Sequence, residues 1–443
     1  MNRSSSSKGR AKLLDVHLYG TLIGQVREDG HGNPGFTYVE GWQDMPAAVP
    51  LSLSMPLLLD HYGKRETNAF LWGLLPENPK VLDDLAREHK VSAKNPISLL
   101  AIVGEDCAGA VQFLPAGADI QQDAEGDIEW LTEDDIGQRL ARLREQSGTI
   151  GRKPGERGRF SLAGAQSKTA LHYADGKWGI PSGRIPTTRI LKPPMPGLDG
   201  QVENEHFCLQ LAQRLDFTVS RTEVLTIAGE KAIAVERFDR FPWKLEDGTT
   251  EWRRIHQEDM CQALSVMPDR KYQADGGPNI KAILRLLAER STAPEEDTYA
   301  FTRAVGMNFL IAGTDAHAKN FSVLILPGAE RSEIRLAPLY DINSALPYYD
   351  DLRDVELSLS IDGRKAFGDI MRRHWEAEAR ASRLYADRVV AELRIMMAAL
   401  PRVAQETLEA CRKDGLGHPM LDLLVQRLTE RCRKLEKLYG FRN

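Results

Sequence analysis

Two acidic residues and an amide in the last third of the chain have the types and spacing needed to move a phosphoryl group. Asp315 and Asn320 share the segment Gly313-Thr-Asp-Ala-His-Ala-Lys-Asn320, and Asp341 follows in Leu339-Tyr-Asp-Ile-Asn343. In this arrangement the first carboxylate accepts the proton of an attacking hydroxyl, while the amide oxygen and the second carboxylate hold Mg²⁺ against phosphates. Such residues also cap helices and turns, so the spacing alone leaves both interpretations open.

A loop of small residues lies upstream, where phosphates would have to be bound. It reads Ser161-Leu-Ala-Gly-Ala-Gln-Ser-Lys168 and precedes a predicted strand. Small side chains allow backbone N–H groups to approach phosphate oxygens closely. The loop has neither the G-x-G-x-x-G nor the Walker pattern, so a plain Gly/Ala turn is the alternative interpretation.

Three further segments follow in the order in which protein kinases place their nucleotide-binding parts. Lys192 ends the predicted strand Thr187–Leu191, where a lysine would pair with the α- and β-phosphates. Glu203 and Glu205 open the next predicted helix, where one could pair with Lys192 or both could complement the helix dipole. Val235-Glu-Arg-Phe238 leaves a strand at the position of an adenine-contacting hinge. The shared order favours a kinase over a chance assembly of weak signals.

The composition of the 443-residue chain limits the classes of protein to consider. A hydrophobic fraction of 42% and a charged fraction of 27% are typical of a globular protein, and the length predicts about three domains. The net charge of −5 disfavours a chain that binds nucleic acid through a basic surface of its own. The 5 cysteines form no Cys-x-x-Cys pair, which is typical of a reducing cytoplasm. No apolar run predicts a membrane span.

The elements that must position the chemical residues change in character along the chain. Residues 1–12 are Ser-rich and basic and predict a disordered tail. Residues 13–145 predict a β-rich module, 146–245 a small ATP-binding lobe, and 246–443 a helical catalytic lobe. The predicted fold class is α+β, a bilobal protein-kinase-like fold with a β-rich N-terminal module and a mainly helical C-terminal lobe.

Hydrophobic periodicity and turn residues predict the individual elements. Strands are predicted at Leu14–Tyr19, Leu22–Val26, Phe36–Val39, Leu51–Met55, Thr169–Tyr173, Trp178–Ile180, Thr187–Leu191, Val224–Ile227 and Lys231–Glu236. Helices are predicted at Asn68–Leu75, Asn204–Leu215, Ile280–Glu289, Tyr299–Ala312, Arg372–Leu400 and Pro419–Tyr439. Apolar segments around a tight turn are predicted at Ser98–Val103 and Gly109–Phe113.

Beyond single motifs, a set of segments resembles one known family along nearly the whole chain after the tail. In the N-terminal part these are Leu51-Ser-Leu-Ser-Met-Pro56, Leu74-Leu-Pro-Glu-Asn-Pro79 and Gly104-Glu-Asp-Cys-Ala-Gly-Ala-Val111. Further on they are the segments around Ser161, Lys192, Glu236, Asp315 and Asp341, together with Gln257-Glu-Asp-Met-Cys-Gln262 and Asp275-Gly-Gly-Pro278. Together they resemble the HipA family of bacterial serine/threonine-protein kinases, the toxins of HipBA-type toxin–antitoxin systems.

The resemblance implies a role for each matching residue. Asp315 would be the catalytic base, Asn320 and Asp341 would bind Mg²⁺, and Glu205 would be the partner of Lys192. Ser161 would be the site of an autophosphorylation that expels the phosphate loop and silences the kinase. The residues implied in ATP binding are Ala163, Gly164, Ala165, Gln166, Ser167, Lys168, Lys192, Glu236, Arg237, Phe238, His317, Ala318, Lys319, Asn320, Tyr340 and Asp341.

The resemblance also implies partners and a cellular effect. The partner would be a small helix-turn-helix antitoxin of the HipB kind, through which the chain would reach operator DNA. The substrate would be an aminoacyl-tRNA synthetase, whose phosphorylation halts translation and causes growth arrest and persistence.

Some residues depart from the family pattern or leave alternatives open. Ser167 stands where some relatives have an acidic residue, which changes the charge of the phosphate loop. A basic group before the loop is either an exposed face or a site for a phosphorylated residue: Arg152, Lys153, Arg157 and Arg159. Two other functions are possible, a non-catalytic kinase-like co-repressor or scaffold and a small-molecule kinase of the same fold.

Overall fold

The computed structural model describes residues 13–117, 126–145, 160–353 and 355–441. The predicted tail at residues 1–12 and the basic group at residues 152–159 lie outside the described residues. Within the described ranges, no helix is both long enough and apolar enough to cross a bilayer.

The N-terminal part is an antiparallel five-stranded sheet in the order β4-β3-β2-β1-β5, accompanied by three helices. Its elements are β1 (Leu13–Leu18), β2 (Thr21–Glu28), β3 (Pro34–Tyr38), β4 (His61–Tyr62), α1 (Lys64–Leu74), α2 (Pro79–His89), α3 (Pro96–Val103) and β5 (Val111–Pro115). The predicted hairpin is confirmed as β1 and β2. Gly20 has φ of +79° in the turn, a conformation that glycine adopts without strain.

One prediction for this part needs correction, and another gains a defined structure. The predicted strand Leu51–Met55 is wrong, because the segment joins no named strand and the Leu53 N–H donates to the Glu258 carboxylate, in the last part of the chain, at 2.6 Å. The apolar segment Ser98–Val103 lies in helix α3, which the Asn95 side chain caps by accepting the Ser98 N–H at 2.8 Å.

The middle part is a six-stranded sheet in the order β10-β11-β9-β7-β8-β6. Its elements are β6 (Ile128–Trp130), α4 (Glu133–Glu145), β7 (Thr169–Ala174), β8 (Lys177–Pro181), β9 (Arg189–Lys192), α5 (Gln201–Arg214), β10 (Thr222–Ile227) and β11 (Glu230–Glu236). Side chains alternate between the faces of β11. Ala232 and Ala234 pack in the cluster that contains α4, whereas Ile233 and Val235 pack on Val202 of α5. The sheet is therefore covered on both faces.

The last part is mainly helical. Its elements are β12 (Arg240–Lys244), β13 (Thr250–Arg254), β14 (His256–Asp259), α6 (Met260–Ala263), α7 (Ile280–Arg290), α8 (Pro294–Leu310), β15 (Ser322–Leu326), β16 (Glu333–Leu336), β17 (Glu356–Ile361), β18 (Arg364–Ala366), α9 (Arg372–Ala381), α10 (Ala386–Lys413) and α11 (Pro419–Leu438). The predicted helix Arg372–Leu400 is two helices, since α9 ends before Arg383, whose φ is 60°. The predicted α+β class is confirmed, while the domain boundaries stay predictions.

Candidate functional site

A cleft of about 790 Å³ brings most of the predicted site residues together. The six-stranded sheet and the helical part form it, and Gly73, Glu77 and Ala108 of the N-terminal part also line it. The predicted residues that line it are Ala163, Gly164, Ala165, Gln166, Lys168, Lys192, Glu236, Arg237, Phe238, Asp315, His317, Lys319, Asn320, Tyr340 and Asp341. Ser167 and Ala318 do not line it, and Ser161 and Glu205 are buried beside it.

Lys192 joins two carboxylates that are far apart in the sequence. Its Nζ lies 2.7 Å from Glu205 Oε1 and 3.0 Å from Asp341 Oδ1. Glu203 lies two positions from Glu205, about 200° around the helix, and pairs instead with Lys231. The structure therefore decides which of the two predicted glutamates meets the lysine.

Burial and neighbouring charges shift the pKa values of Asp341 and Glu205 in opposite directions. Burial alone would raise the pKa of Asp341, but Lys192 and Lys168 lower it to about 2, so the carboxylate is ionised at neutral pH. Burial raises the pKa of Glu205, and the opposing charge of Lys192 compensates only in part. Of the two carboxylates, Glu205 is thus the one that takes up a proton more readily.

The predicted phosphate loop is a tight turn around Gly164. This glycine has φ of +104°, and a Cβ at its position would lie 2.4 Å from Lys168 Nζ. Lys168 folds back so that Nζ donates to the Ala163 carbonyl at 2.6 Å. Burial, followed by repulsion from Lys192, lowers the pKa of Lys168 to about 8.

Ser161 lies at the base of this loop and is 1% exposed. Its hydroxyl donates to the Leu74 carbonyl at 2.7 Å, and its N–H donates to the Asp106 carbonyl at 3.0 Å. The Glu77 N–H donates to the Gly164 carbonyl at 3.3 Å. The N-terminal part therefore holds the phosphate loop through backbone carbonyls and one backbone N–H.

Asp315 follows helix α8 in a loop at the other side of the cleft. Its side chain is 62% exposed, so one carboxylate oxygen is open to an incoming group. The Asn320 side-chain N–H₂ donates to the Asp315 backbone carbonyl at 2.7 Å, which leaves the Asn320 amide oxygen for another partner. The two residues of the D-x-x-x-x-N motif are therefore joined by one hydrogen bond.

The predicted hinge supplies an aromatic surface. The rings of Phe238 and Tyr340 stack with centroids 5.6 Å apart. The Arg237 side chain points away from this surface into a buried cluster, where its guanidinium lies 2.9 Å from Asp239 and 3.3 Å from Asp106. Arg237 thus touches the cleft while its charge is used elsewhere.

Lys319, like Arg237, lines the cleft while its charge is paired inside the protein. Its Nζ donates to Asp259 at 2.7 Å and to the Gly73 carbonyl at 3.2 Å, inside the protein. Burial lowers the pKa of Lys319, but Asp259 and Glu77 more than reverse this, so the net shift is upward. The lysine therefore fastens the loop of Asn320 to the N-terminal part.

Two cleft residues, Glu77 and Lys271, and one residue beside the cleft, Tyr272, had no predicted role. Tyr272 donates its hydroxyl to Asp315 at 2.8 Å, and Lys271 pairs with Glu77 at 2.7 Å. Glu77 comes from the N-terminal part, so only the folded chain brings it here. The motif Asp275-Gly-Gly-Pro278 was the available signal for Tyr272, which lies just before it.

Comparisons with known proteins identify the family of the chain. A family model described as HipA N-terminal domain matches residues 14–114, and one described as HipA-like C-terminal domain matches residues 160–409. The Y4mE protein of Sinorhizobium fredii is 38% identical over 341 residues, which are 76% of this chain and 79% of that protein. The serine/threonine-protein kinase toxin HipA of Shewanella oneidensis is 30% identical over 369 residues, or 80% of each chain.

A solved structure extends the likeness to three dimensions. HipA of Shewanella oneidensis, solved in a complex with HipB and its operator DNA, matches with a TM-score of 0.80 and 26% identity. The match covers 96% of this chain and 98% of that chain. The N-terminal module and both lobes therefore have the architecture of that protein.

Proposed function

Because the chain belongs to the HipA family, we propose that it is an ATP- and Mg²⁺-dependent serine/threonine-protein kinase that acts as the toxin of a toxin–antitoxin pair. The observation that carries the proposal is the position of Lys192. Its ammonium group contacts Glu205 and Asp341 in the cleft that also contains Asp315 and Asn320. Kinases use this combination of charges to bind phosphates and metal ions.

Asn320 and Asp341 would hold Mg²⁺, and their chemistry fits this ion. The Asn320 amide oxygen is left available by the bond that its N–H₂ makes to Asp315, and the Asp341 carboxylate is ionised. Among the described residues, no group of three or more His, Cys, Asp or Glu side chains could hold a metal alone. Mg²⁺ commonly completes its oxygen ligands with phosphates and water, and when bound it neutralises phosphate charge.

Residues of the chain supply the catalytic base, the contacts to the phosphates and the contacts to the adenine. The exposed oxygen of Asp315 accepts the proton of the substrate hydroxyl, and Lys192 pairs with the α- and β-phosphates. Backbone N–H groups of the loop 163–168 contact the phosphates, and Phe238 and Tyr340 contact the adenine. Phosphoryl transfer requires positioning and charge neutralisation more than covalent chemistry, and these residues supply both.

Ser161 would be phosphorylated by a second copy of the kinase, or by its own site, after the loop has left its buried position. The hydroxyl is bonded to Leu74 in the closed loop and cannot accept a phosphoryl group there. A phosphate of nearly two negative charges would not fit against the Leu74 carbonyl, so the modified loop would stay outside and the kinase would be silent.

The solved complex of HipA from Shewanella oneidensis with HipB and operator DNA supports a partner of the same kind. We propose that a small helix-turn-helix antitoxin binds this chain and brings it to DNA, since the chain itself has a net charge of −5. We propose an aminoacyl-tRNA synthetase as substrate on the family resemblance. Phosphoproteomics of arrested cells, with and without co-expression of an adjacent helix-turn-helix gene, tests both points.

The activity is tested by incubating the purified protein with Mg²⁺ and γ-labelled ATP and locating the label by mass spectrometry. We expect the label on Ser161 and none in the Asp315→Asn variant, which keeps the shape of the side chain but removes the base. Asp362→Asn is the matched control, because this exposed aspartate lies in the β17–β18 turn with φ of 48°, which Asn also adopts.

Each contrary outcome identifies a different function. Thermal stabilisation by ATP without any phosphoryl transfer would indicate a non-catalytic scaffold. Transfer to small-molecule hydroxyls but not to protein would indicate a small-molecule kinase. Labelling that persists in Asp315→Asn would contradict the assignment of the base.

A further inference from the structure

The segment 275–278, whose Asp-Gly-Gly-Pro sequence had no assigned role, forms a turn beside the catalytic loop. Gly276 has φ of +85°. A Cβ on Gly277 would lie 2.2 Å from the Arg270 carbonyl oxygen and 2.7 Å from that of Tyr272. Two N–H groups of the turn donate to the Tyr272 carbonyl, each at 3.0 Å. The glycines therefore allow the chain to close tightly around the backbone of Tyr272.

Strand β17 fixes this turn and the catalytic loop at once. Gln273 Nε2 donates to Ser360 Oγ at 2.7 Å, and the Ser360 N–H donates to Gln273 Oε1 at 2.8 Å. Two residues earlier on the strand, the Ser358 hydroxyl donates to the Thr314 carbonyl at 2.6 Å. One strand thus sets the distance between the turn and the residue preceding Asp315.

The turn 275–278 closes around the backbone of Tyr272, whose side chain lies next to Asp315. Its hydroxyl donates to Asp315 Oδ1 at 2.8 Å, and its ring packs edge-on against His317 with centroids 5.0 Å apart. Among the hydrogen bonds of the described residues, this is the only one that the Asp315 carboxylate receives. Burial and then the bond to Asp315 raise the pKa of Tyr272, so its hydroxyl keeps the proton that it donates.

We propose that Tyr272 is a positioning residue for phosphoryl transfer, holding one oxygen of Asp315 so that the other faces the attacking hydroxyl. The proposal rests on the proposed kinase function. The substrate hydroxyl gives its proton to the free oxygen of Asp315 and its oxygen bonds to the γ-phosphorus. The bond from that phosphorus to the β–γ bridging oxygen breaks, and its electron pair leaves with ADP. A carboxylate on a mostly exposed side chain would otherwise sample several rotamers, of which few are productive.

The Tyr272→Phe variant tests the proposal, because it keeps the ring against His317 and removes only the hydroxyl. We expect kcat for phosphoryl transfer to fall about 10- to 100-fold, the scale of one hydrogen bond to a charged group. KM for ATP and the binding of Mg²⁺–ADP should stay within about twofold, since Asp315 does not bind the nucleotide in the ground state. A purely structural role for Tyr272 would change all three quantities together with the melting temperature.

Tyr439→Phe is the matched control. Its hydroxyl donates to the Ile370 carbonyl at 2.7 Å in the helical part, away from the cleft, so its loss should leave kcat unchanged. A Tyr272→Phe enzyme with the kcat of the unaltered protein overturns the positioning role alone. A parallel loss of kcat and ADP binding overturns it in favour of a structural role. An unaltered protein that transfers no phosphate overturns the positioning role and the proposed function together.

Discussion

The protein contains two clusters of buried charge that differ in composition and in access to solvent. The hinge cluster consists of Asp106, Arg237, Asp239, Arg240 and Arg254, with every side chain at most 10% exposed. The cleft cluster consists of Lys168, Lys192, Glu205 and Asp341, of which the Asp341 side chain is 32% exposed. The sequence predicted a role at the nucleotide site for all four residues of the cleft cluster but only for Arg237 in the hinge cluster.

The charges of the hinge cluster stabilise the fold, whereas those of the cleft cluster are available to a ligand. Both carboxyls of the hinge cluster have lowered pKa values, because arginines outweigh the effect of burial. Arginine stays charged, and its planar group binds several oxygens at once. The cleft cluster uses lysines instead, and it contains groups with pKa values moved toward neutrality, Lys168 downward and Glu205 upward. Perturbed groups of this kind in a cleft are typical of functional sites.

The largest effect is expected from breaking the hinge cluster. Asp106→Asn removes the carboxylate that Arg237, Arg240 and Arg254 share, and should lower the free energy of unfolding by about 3–5 kcal/mol in denaturant titrations. Glu230→Gln is the control, because this residue pairs with a half-exposed Arg144 at 2.9 Å and should cost at most about 1 kcal/mol. Equal effects of the two substitutions would contradict the structural role of the cluster.

Breaking the cleft cluster should affect catalysis more than folding. Lys192→Met removes the cation between Glu205 and Asp341 and should lower kcat/KM for ATP by about 10²–10³-fold. The loss of stability should be smaller than for Asp106→Asn, because Glu205 can take up a proton. Lys231→Met is the control for the other lysine–glutamate pair of helix α5 and should leave kinetics unchanged. Normal kinetics in Lys192→Met would remove the distinction between the clusters.

A smaller effect is expected from pH on nucleotide binding. The pKa of Lys168 is about 8, so its positive charge is present at pH 7 and is lost as the pH rises through 8. The affinity for ATP should therefore fall about 3- to 10-fold between pH 7 and pH 9, measured by calorimetry. Lys168→Arg keeps its charge over this range and should show a flat profile. An equally steep profile in that variant would assign the pH effect to another group.

The smallest effect concerns a buried carboxyl, Glu258, that forms no ion pair with any of the described residues, unlike the carboxyls of the hinge cluster. Burial raises the pKa of Glu258 from 4.5 to about 8, and it accepts bonds from Ser52 and Leu53. The folded state binds this proton more tightly than the unfolded state. Its contribution to stability is therefore complete below pH 4.5 and is lost as the pH rises to about 8.

Glu258→Gln should remove that dependence, because the amide is uncharged over the whole range and can still accept the Leu53 N–H. Melting temperatures between pH 5 and pH 9 measure the change. The variant should lose a few degrees less than the unaltered protein as the pH rises. Parallel curves for the two proteins would show that Glu258 does not titrate in this interval.

Much of the fold could be predicted because local patterns determine it. The apolar runs around Gly20 predicted the first hairpin, and the apolar face of Asn204–Leu215 predicted helix α5. The segment Leu51–Met55 has strand-like residues, but its polar groups bond to Glu258 instead of a neighbouring strand. Strands β4, β6 and β12–β18 were missed, and several of them, β4, β6, β14, β16 and β18, have at most four residues, too few to show a two-residue period.

The site was predictable in its motifs but not in the direction of its side chains. The local pattern left Glu203 and Glu205 open, because the choice depends on which helix face meets β9, and only the family resemblance favoured Glu205. Arg237 was predicted to bind the nucleotide because its motif matches the family. Its guanidinium instead pairs with Asp239, two residues further on, and with Asp106, which lies in the N-terminal part. The motif Asp275-Gly-Gly-Pro278 drew attention to the region of Tyr272, but not to its contact with Asp315, which lies 43 positions away in the sequence.

Asn204, the residue beside Glu205, links helix α5 to the loop of Asp341. Asn204 is fully buried and exchanges two hydrogen bonds with the backbone of Ser344, at 2.8 and 2.9 Å, three residues after Asp341. These two buried bonds link helix α5 directly to the loop of Asp341. A movement of the helix that keeps them intact would carry Glu205 and Asp341, the two carboxylate partners of Lys192, together.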